Sequence, residues 1–340
     1  MRKLASIQKV AEVIPIEGAD SICGYRINGW KVVDSIGKYE VGDLVIYCEP
    51  DSWIPTELAP FLSKGKEPRE YKGVKGEKLR TVRLRGFLSQ GLLLPISLLG
   101  RPEETFAINE DSIGADVSEE LGIVKWEPPE DFINADCKGN FPSFIPKTDQ
   151  ERIQNCYDKV KLKLEQGVQF YVQEKVEGQS FTVYLYNGEF GVCSRNLELK
   201  DSDNTFWNNA RKYKLEEKLR KLGKNLAIQA EQCGPGISGN IYGLREYELY
   251  VFDVFDIDKQ EYLSVYDLYS FCKDNDLNAA PALFKHIGSL SLDDMLVLAD
   301  GKSVLGFTNT LREGLVWRQV GDERFTFKTV SNKYLLKQKG

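Results

Sequence analysis

Apolar and polar positions alternate over short runs through most of the chain, the pattern of half-buried β-strands. Over residues 1–120 the runs Gly29-Trp30-Lys31-Val32-Val33, Leu44-Val45-Ile46-Tyr47-Cys48 and Leu79-Arg80-Thr81-Val82-Arg83-Leu84 each predict a strand, separated by Gly-Asp, Gly-Lys and Asn-Gly steps. A β-rich module of this size predicts a small barrel, an OB-like fold being one candidate and a β-sandwich the other. Periodicity fades over 121–147, where Glu127-Pro128-Pro129-Glu130-Asp131, Phe141-Pro142 and Ile145-Pro146 predict a linker. Thr148 with Glu151 three residues later has the form of a capping box and predicts a helix opening there.

From Val168 the period-two pattern returns. Phe181, Val183 and Leu185 alternate with Thr182, Tyr184 and Tyr186, Asn187-Gly188 predicts a tight hairpin turn, and Phe190-Gly191-Val192-Cys193 runs back. A helix is predicted near 206–222 and another near Val265–Asp276. Further strands are predicted at Ala227–Ala230, Glu248–Phe255, Leu315–Arg318 and Phe325–Phe327. The whole reads as α+β: an OB-like β domain over 1–120, a linker over 121–147, and a second domain of antiparallel sheets with flanking helices over 148–340.

Composition narrows the chemistry. No apolar run approaches the roughly 18 residues of a membrane helix, and the first residues lack the apolar core of a signal peptide. Seven cysteines, with no CxxC pair, suit isolated reduced thiols and a cytoplasmic or nuclear protein. The single histidine, His286, excludes HExxH zinc sites and most His-ligated metals, and is expected to be structural. A nucleophile and metal ligands must therefore come from Lys, Glu, Asp, Cys, Ser or Tyr. The net charge of −6 draws no nucleic acid by itself, yet Lys64 to Arg85 holds nine basic residues against three acidic ones, and Arg211 to Lys224 is a second basic zone. Such zones can hold phosphate backbones.

Candidate chemistry centres on Gln173-Glu174-Lys175-Val176-Glu177-Gly178, between two predicted strands. The KxxG spacing says little alone, since Lys285 and Lys337 share it. Order says more. Arg195 follows one hairpin later, Glu231 ends a strand before a glycine turn, and Phe252 lies on an aromatic strand. Glu313-Gly314 opens another strand, and Lys328 ends the last.

This succession, over about 148–336, resembles the covalent nucleotidyltransferases: RNA ligases, DNA ligases and capping enzymes. Arg83-Leu84-Arg85-Gly86, Ser89-Gln90-Gly91-Leu92 and the terminal Ser331-Asn332-Lys333-Tyr334 resemble the ATP-dependent RNA ligases with an N-terminal OB-type domain (Deinococcus- and Naegleria-type). The resemblance implies a nucleotidyltransferase domain in which Lys175 takes AMP from ATP. It passes AMP to an RNA 5′-phosphate, and an RNA 3′-hydroxyl then seals the strand, a reaction of RNA repair. It implies Glu231 and Glu313 near a Mg2+ or Mn2+ ion, carboxylates suiting such hard cations. It implies Lys328 at the α-phosphate, Arg195 at phosphate or ribose, and Arg152 toward the leaving pyrophosphate. Phe252 would stack on adenine, with Phe255 as the other candidate. Glu174, Val176 and Gly178 would line the nucleotide, and Glu177 stands where many relatives have Asp or Asn beside the ribose. The chain departs from the family at its end. The second lysine of the usual KxK pair is missing: Thr326 and Val330 flank Lys328, and Lys333 is spaced differently. A monomer acting on nicked duplex or RNA ends is expected. A DNA ligase, a capping-type guanylyltransferase and a catalytically inactive nucleic-acid-binding protein remain as alternatives.

Overall fold

A computed structural model describes residues 2–100, 108–127, 136–307 and 309–337, so the predicted linker segment Pro128–Asp131 lies outside the described residues. The chain divides into two units, 1–129 and 130–340. Among the described residues no helix is long and apolar enough to cross a membrane.

The first unit is built of short antiparallel strands. Ala5–Lys9, Leu44–Cys48 and Leu92–Pro95 form one sheet, and Glu12–Ile14, Ile22–Ile27 and Trp30–Ser35 another. Tyr25, Trp30, Val45, Tyr47 and Leu93 pack into a common core. The run Leu79–Leu84 is not one strand. Val74–Lys78 ends before Leu79, whose side chain is buried and whose backbone bonds Ser52 and Asp51, and Val82–Leu84 then pairs with Phe87–Ser89 as an exposed hairpin. The basic stretch is partly neutralised at home: Arg69 pairs with Glu77, Lys75 with Glu67 and Lys78 with Asp51. Lys64, Lys66, Lys72, Arg80, Arg83 and Arg85 make no ion pair among the described residues.

The second unit rests on two sheets. The larger has eight strands, ordered Cys137–Asn140, Leu197–Leu199, Glu189–Cys193, Gln179–Tyr186, Leu226–Cys233, Glu248–Asp256 and Glu261–Tyr262, with Asn278–Ala279 beside Glu248–Asp256. The smaller has five: Glu151–Arg152, Asp322–Val330, Gly314–Gln319, Phe170–Lys175 and Ala282–His286. Helices Thr205–Lys212, Leu215–Leu222 and Val265–Asp274 cover one face of the larger sheet around Phe181, Val183, Ile228 and Val251. Helices Ile153–Glu165 and Leu292–Ala299 cover one face of the smaller around Phe170, Val172, Trp317 and Phe327.

Local chemistry explains the punctuation. Asn187 and Gly188 both take positive φ, 51° and 82°, as a two-residue hairpin turn requires. The predicted helix at 206–222 is two helices, broken where Lys214 adopts φ 51° and opens the second. The predicted start at Thr148 is also displaced: Glu151–Arg152 are drawn into parallel pairing with Phe327 and Lys328, so the helix begins at Ile153 and Arg152 stands at its N-cap without a side-chain cap. His286 bonds Gly288 O at 3.0 Å and sits edge-on to Trp317, a packing role.

One ion pair ties the two sheets. Arg318, on the smaller sheet, donates through Nη1 to Asp253 Oδ1 at 2.7 Å and through Nη2 to Phe252 O at 3.1 Å. The two side chains are 2% and 9% exposed. Burial raises the Asp253 pKa against the lowering effect of Arg318, so desolvation outweighs attraction at that carboxyl. Removing one partner leaves a buried charge with no counter-charge. Asp253→Ala is expected to cost about 3–5 kcal/mol of stability, read from urea unfolding; a loss below about 1 kcal/mol would show that the tie is dispensable.

Candidate active site

Lys175 ends the 170–175 strand and pairs with Gly314, which pairs in turn with Val330. Two residues along, Gln173, Val316 and Lys328 stand in the same relation. Positions two apart share a face, so Lys175 and Lys328 project to the same side of the smaller sheet. Arg152, 4% exposed, is the parallel neighbour of Lys328. Arg318 lies on this face as well, and its bond to Asp253 turns the face toward the larger sheet.

On the larger sheet Ser180, Glu231 and Tyr250 are aligned across three strands, followed by Thr182, Gln229 and Asp253. Tyr250 pairs with Glu231 but Asp253, three residues on, pairs with Gln229, two residues back. Phe252 is therefore the extra residue of a β-bulge. It is half-buried against Val176, Tyr242 and Tyr250. Phe255 is 2% exposed and fills a separate cluster with Phe141 and Ala227, so it has no ring face to offer. Of the two aromatic candidates, Phe252 is the one left accessible.

Charge is concentrated around one amine. Lys175 Nζ donates to Glu313 Oε2 at 2.5 Å. Burial works against its ammonium form, but Glu313, Glu231 and Glu177 outweigh burial and hold its pKa above the ordinary lysine value. The carboxyls feel the crowding too. Burial pushes Glu231 up to about 7; Lys175 pulls it down, Glu313 pushes it further up, and Arg195 and the Gly178 N–H pull it down again. Burial and the neighbouring Glu313 push Glu177 up to about 8. The site as it stands holds a protonated lysine among acids that keep protons near neutrality.

Other predicted residues divide. Arg195 acts on Glu231 and bonds Asp149 Oδ1 at 2.6 Å. Val176 packs below the site. Glu174 is not brought to the cluster. It alternates to the other face, where its carboxylate accepts from Ser303 Oγ at 2.5 Å and Val304 N–H at 2.9 Å. Its backbone N–H is taken by Pro281 O, so its part is to brace the strand. Gly178 is needed for approach: a Cβ there would lie 2.4 Å from Gln232 O and 3.0 Å from Glu231 Cγ.

Sequence reasoning passed over Tyr242, Asp253 and Arg318. Tyr242 Oη accepts the Glu177 N–H at 2.7 Å and fixes the turn after Lys175. Asp253 is the one charge inside the ends of its strand and Arg318 the one charge of its own, and two opposite charges among apolar neighbours were the available signal.

Two features fit a bound nucleotide and a divalent cation. Thr182 Oγ1 and Gln229 Oε1 are buried on the inward face with no hydrogen-bond partner in the protein, a cost that a ligand can relieve. Among the described residues no three His, Cys, Asp or Glu side chains form a ready metal cage. Glu231 and Glu313 beside Lys175 suit instead an ion held by one or two carboxylates, with water and phosphate oxygens completing the shell.

Comparison with known proteins bears on this geometry. An RNA ligase family model matches residues 168–335, and an OB-fold domain model matches residues 4–96. The chain is similar to a structure of Naegleria gruberi RNA ligase with PPi, at 40% identity over 98% of each chain and a TM-score of 0.88. It is similar to a mutant of that ligase with ATP and Mn, at 40% identity over 100% of both chains and a TM-score of 0.88. A mutant with AMP and Mn matches at 39% identity over 98% of each chain, with a TM-score of 0.89. No match is found among curated protein sequences.

The tight seat of Gly178 can be tested without any assay of chemistry. In Gly178→Ala the new methyl must displace backbone on the Glu231 strand. A loss of about 1–3 kcal/mol is expected, measured by urea denaturation, and an unchanged midpoint would show that the loop yields freely.

Proposed function

The chain belongs to the RNA ligase family, and on that premise we propose that it seals RNA with Lys175 as the residue that carries AMP. It is an ATP-dependent RNA ligase with an N-terminal OB-fold domain, and it uses ATP and a divalent metal. The observation that carries the assignment of Lys175 is its position at a strand end among Glu177, Glu231 and Glu313.

That position sets the chemical problem. A free lysine, with pKa about 10.4, is neutral in roughly one copy per thousand near pH 7. Here the acids make the amine still harder to deprotonate. Glu231 and Glu313 would hold a divalent cation, whose positive charge would lower the lysine pKa and balance the phosphates. With the carboxylates so engaged, Lys175 would lose its bond to Glu313 and its extra proton to solvent, leaving a neutral amine to face the α-phosphorus of ATP. A nitrogen–phosphorus bond forms and pyrophosphate departs. Lys328, on the same face, stabilises charge growing on the α-phosphate. Arg152, beside Lys328, meets the departing pyrophosphate, and Arg195 holds the ribose or phosphate. Phe252 flanks the base. AMP then passes to an RNA 5′-phosphate, and an RNA 3′-hydroxyl displaces it.

Lys328 stands without a second lysine at the family's spacing. Arg152, its parallel neighbour, supplies a second cation at this point from a different strand. The N-terminal unit grips RNA through Lys64, Lys66, Lys72, Arg80, Arg83 and Arg85, the cations left outside ion pairs. Seven free cysteines suit a reducing compartment, and we place the enzyme in the cytoplasm or nucleus for RNA repair.

Incubation with labelled ATP and Mn2+ is expected to leave an acid-stable, hydroxylamine-labile adduct on the wild type and none on Lys175→Ala. Label retained on the variant would overturn the assignment. Glu313→Ala is expected to lose at least about 100-fold in metal-dependent adenylation, as when one electrostatic contact to a reacting centre is removed; wild-type rates would remove Glu313 from the site.

A further inference from the structure

Residues 301–303 pair with residues 310–312 beside the 170–175 strand. Arg312 N–H donates to Gly301 O at 3.0 Å and Ser303 N–H to Thr310 O at 2.9 Å, with Lys302 and Leu311 bridged between them. The tip is tied inward at successive residues. Val304 N–H donates to Glu174 Oε2 at 2.9 Å, Leu305 packs against the cluster containing Val176 and Tyr242, and Phe307 N–H donates to Tyr242 O at 3.0 Å. Gly306, at φ 72°, permits this approach, since a Cβ there would lie 2.1 Å from Tyr242 O.

On this anchored backbone the Phe307 side chain stands 86% exposed, the most of any large hydrophobic among the described residues, with Val304 at 60%. Its backbone N–H is bonded inward while its ring stands in water as an apolar plate. Lys302, whose Nζ donates to Asn309 O at 2.9 Å, keeps a cation on the same segment. One ring and one valine fall far short of the roughly 800 Å² per partner in a stable protein interface. They match the face of a single nucleobase, which stacks on aromatic side chains whatever its sequence. The link to the site runs through Tyr242, whose carbonyl accepts the Phe307 N–H and whose hydroxyl accepts the Glu177 N–H in the turn after Lys175.

We propose that Phe307 is a stacking platform for one base of the RNA end brought to Lys175, an inference that rests on the ligase reading above. The ring then contributes to holding RNA and takes no part in forming lysyl-AMP.

The test uses the full chain as wild type, Phe307→Ala, Phe307→Leu and Phe307→Trp. Each is measured for adenylation by ATP without RNA, and for sealing of nicked and single-stranded RNA carrying 2-aminopurine at positions around the break. Phe307→Ala and Phe307→Leu are expected to adenylate within twofold of wild type. Their KM for RNA should rise about tenfold, within the ~1–3 kcal/mol of a base–aromatic stack. Phe307→Trp should restore it, and 2-aminopurine quenching at one position should vanish in the alanine variant. A wild-type KM in Phe307→Ala, leucine performing as well as tryptophan, or loss of RNA-independent adenylation would each overturn the proposal. If the wild type itself forms no adduct, the ligase reading falls and this one with it; an adduct with no RNA effect of Phe307 sinks this one alone.

Discussion

The buried pair Arg318–Asp253 is the constraint on which the catalytic unit turns. Each sheet has one face sealed by helices and an apolar core. The opposite faces mix polar residues with apolar clusters around Phe255 and around Val176 and Tyr250, and apolar contact alone carries no direction. A guanidinium and a carboxylate, both almost wholly desolvated, supply a reason with direction, because either charge alone inside the protein is costly. The pair's value lies less in net stability than in alignment. It sets the face bearing Lys175 and Lys328 against the face bearing Glu231.

That alignment creates a site that is electrostatically incomplete. Three acids surround one amine, two of them, Glu177 and Glu231, are pushed up toward neutrality, and the amine is held charged. The same crowding that holds Lys175 charged would favour a cation beside Glu231 and Glu313, and on the proposed reading that cation would free the amine to react. An enzyme that must not acylate or phosphorylate itself indiscriminately is well served by a nucleophile neutralised until its full complement of reactants is present.

Much of this was legible in the chain because it is local. The Asn187-Gly188 turn announces its own backbone geometry, and the strand end at Lys175 and the strand start just after Glu313 follow from alternation and glycine punctuation, whereas Glu231, expected to end its strand, lies inside Leu226–Cys233. What was not legible is what depends on distant partners. The helix start moved because Glu151–Arg152 found a strand some 176 residues further on. Glu174 was read as part of the nucleotide site because it adjoins Lys175, yet alternation sends its carboxylate to Ser303 and Val304. The Arg318–Asp253 contact spans 65 residues and no local pattern joins them.

The bulge at Phe252 acts as a parity shift. Upstream of it Tyr250 points inward and Val251 toward the helices; downstream Asp253 and Phe255 point inward and Val254 toward the helices. Even-numbered inward positions give way to odd ones at a single inserted residue. Were Phe252 drawn into the regular ladder instead, Asp253 would turn into the apolar helix-facing core and Val254 would take its place opposite Arg318. The strand therefore has a length grammar. It can lose or gain residues in pairs, or lose Phe252 alone, and keep its faces, but any other one-residue deletion transposes the positions beyond it unless the bulge is absorbed at the same time.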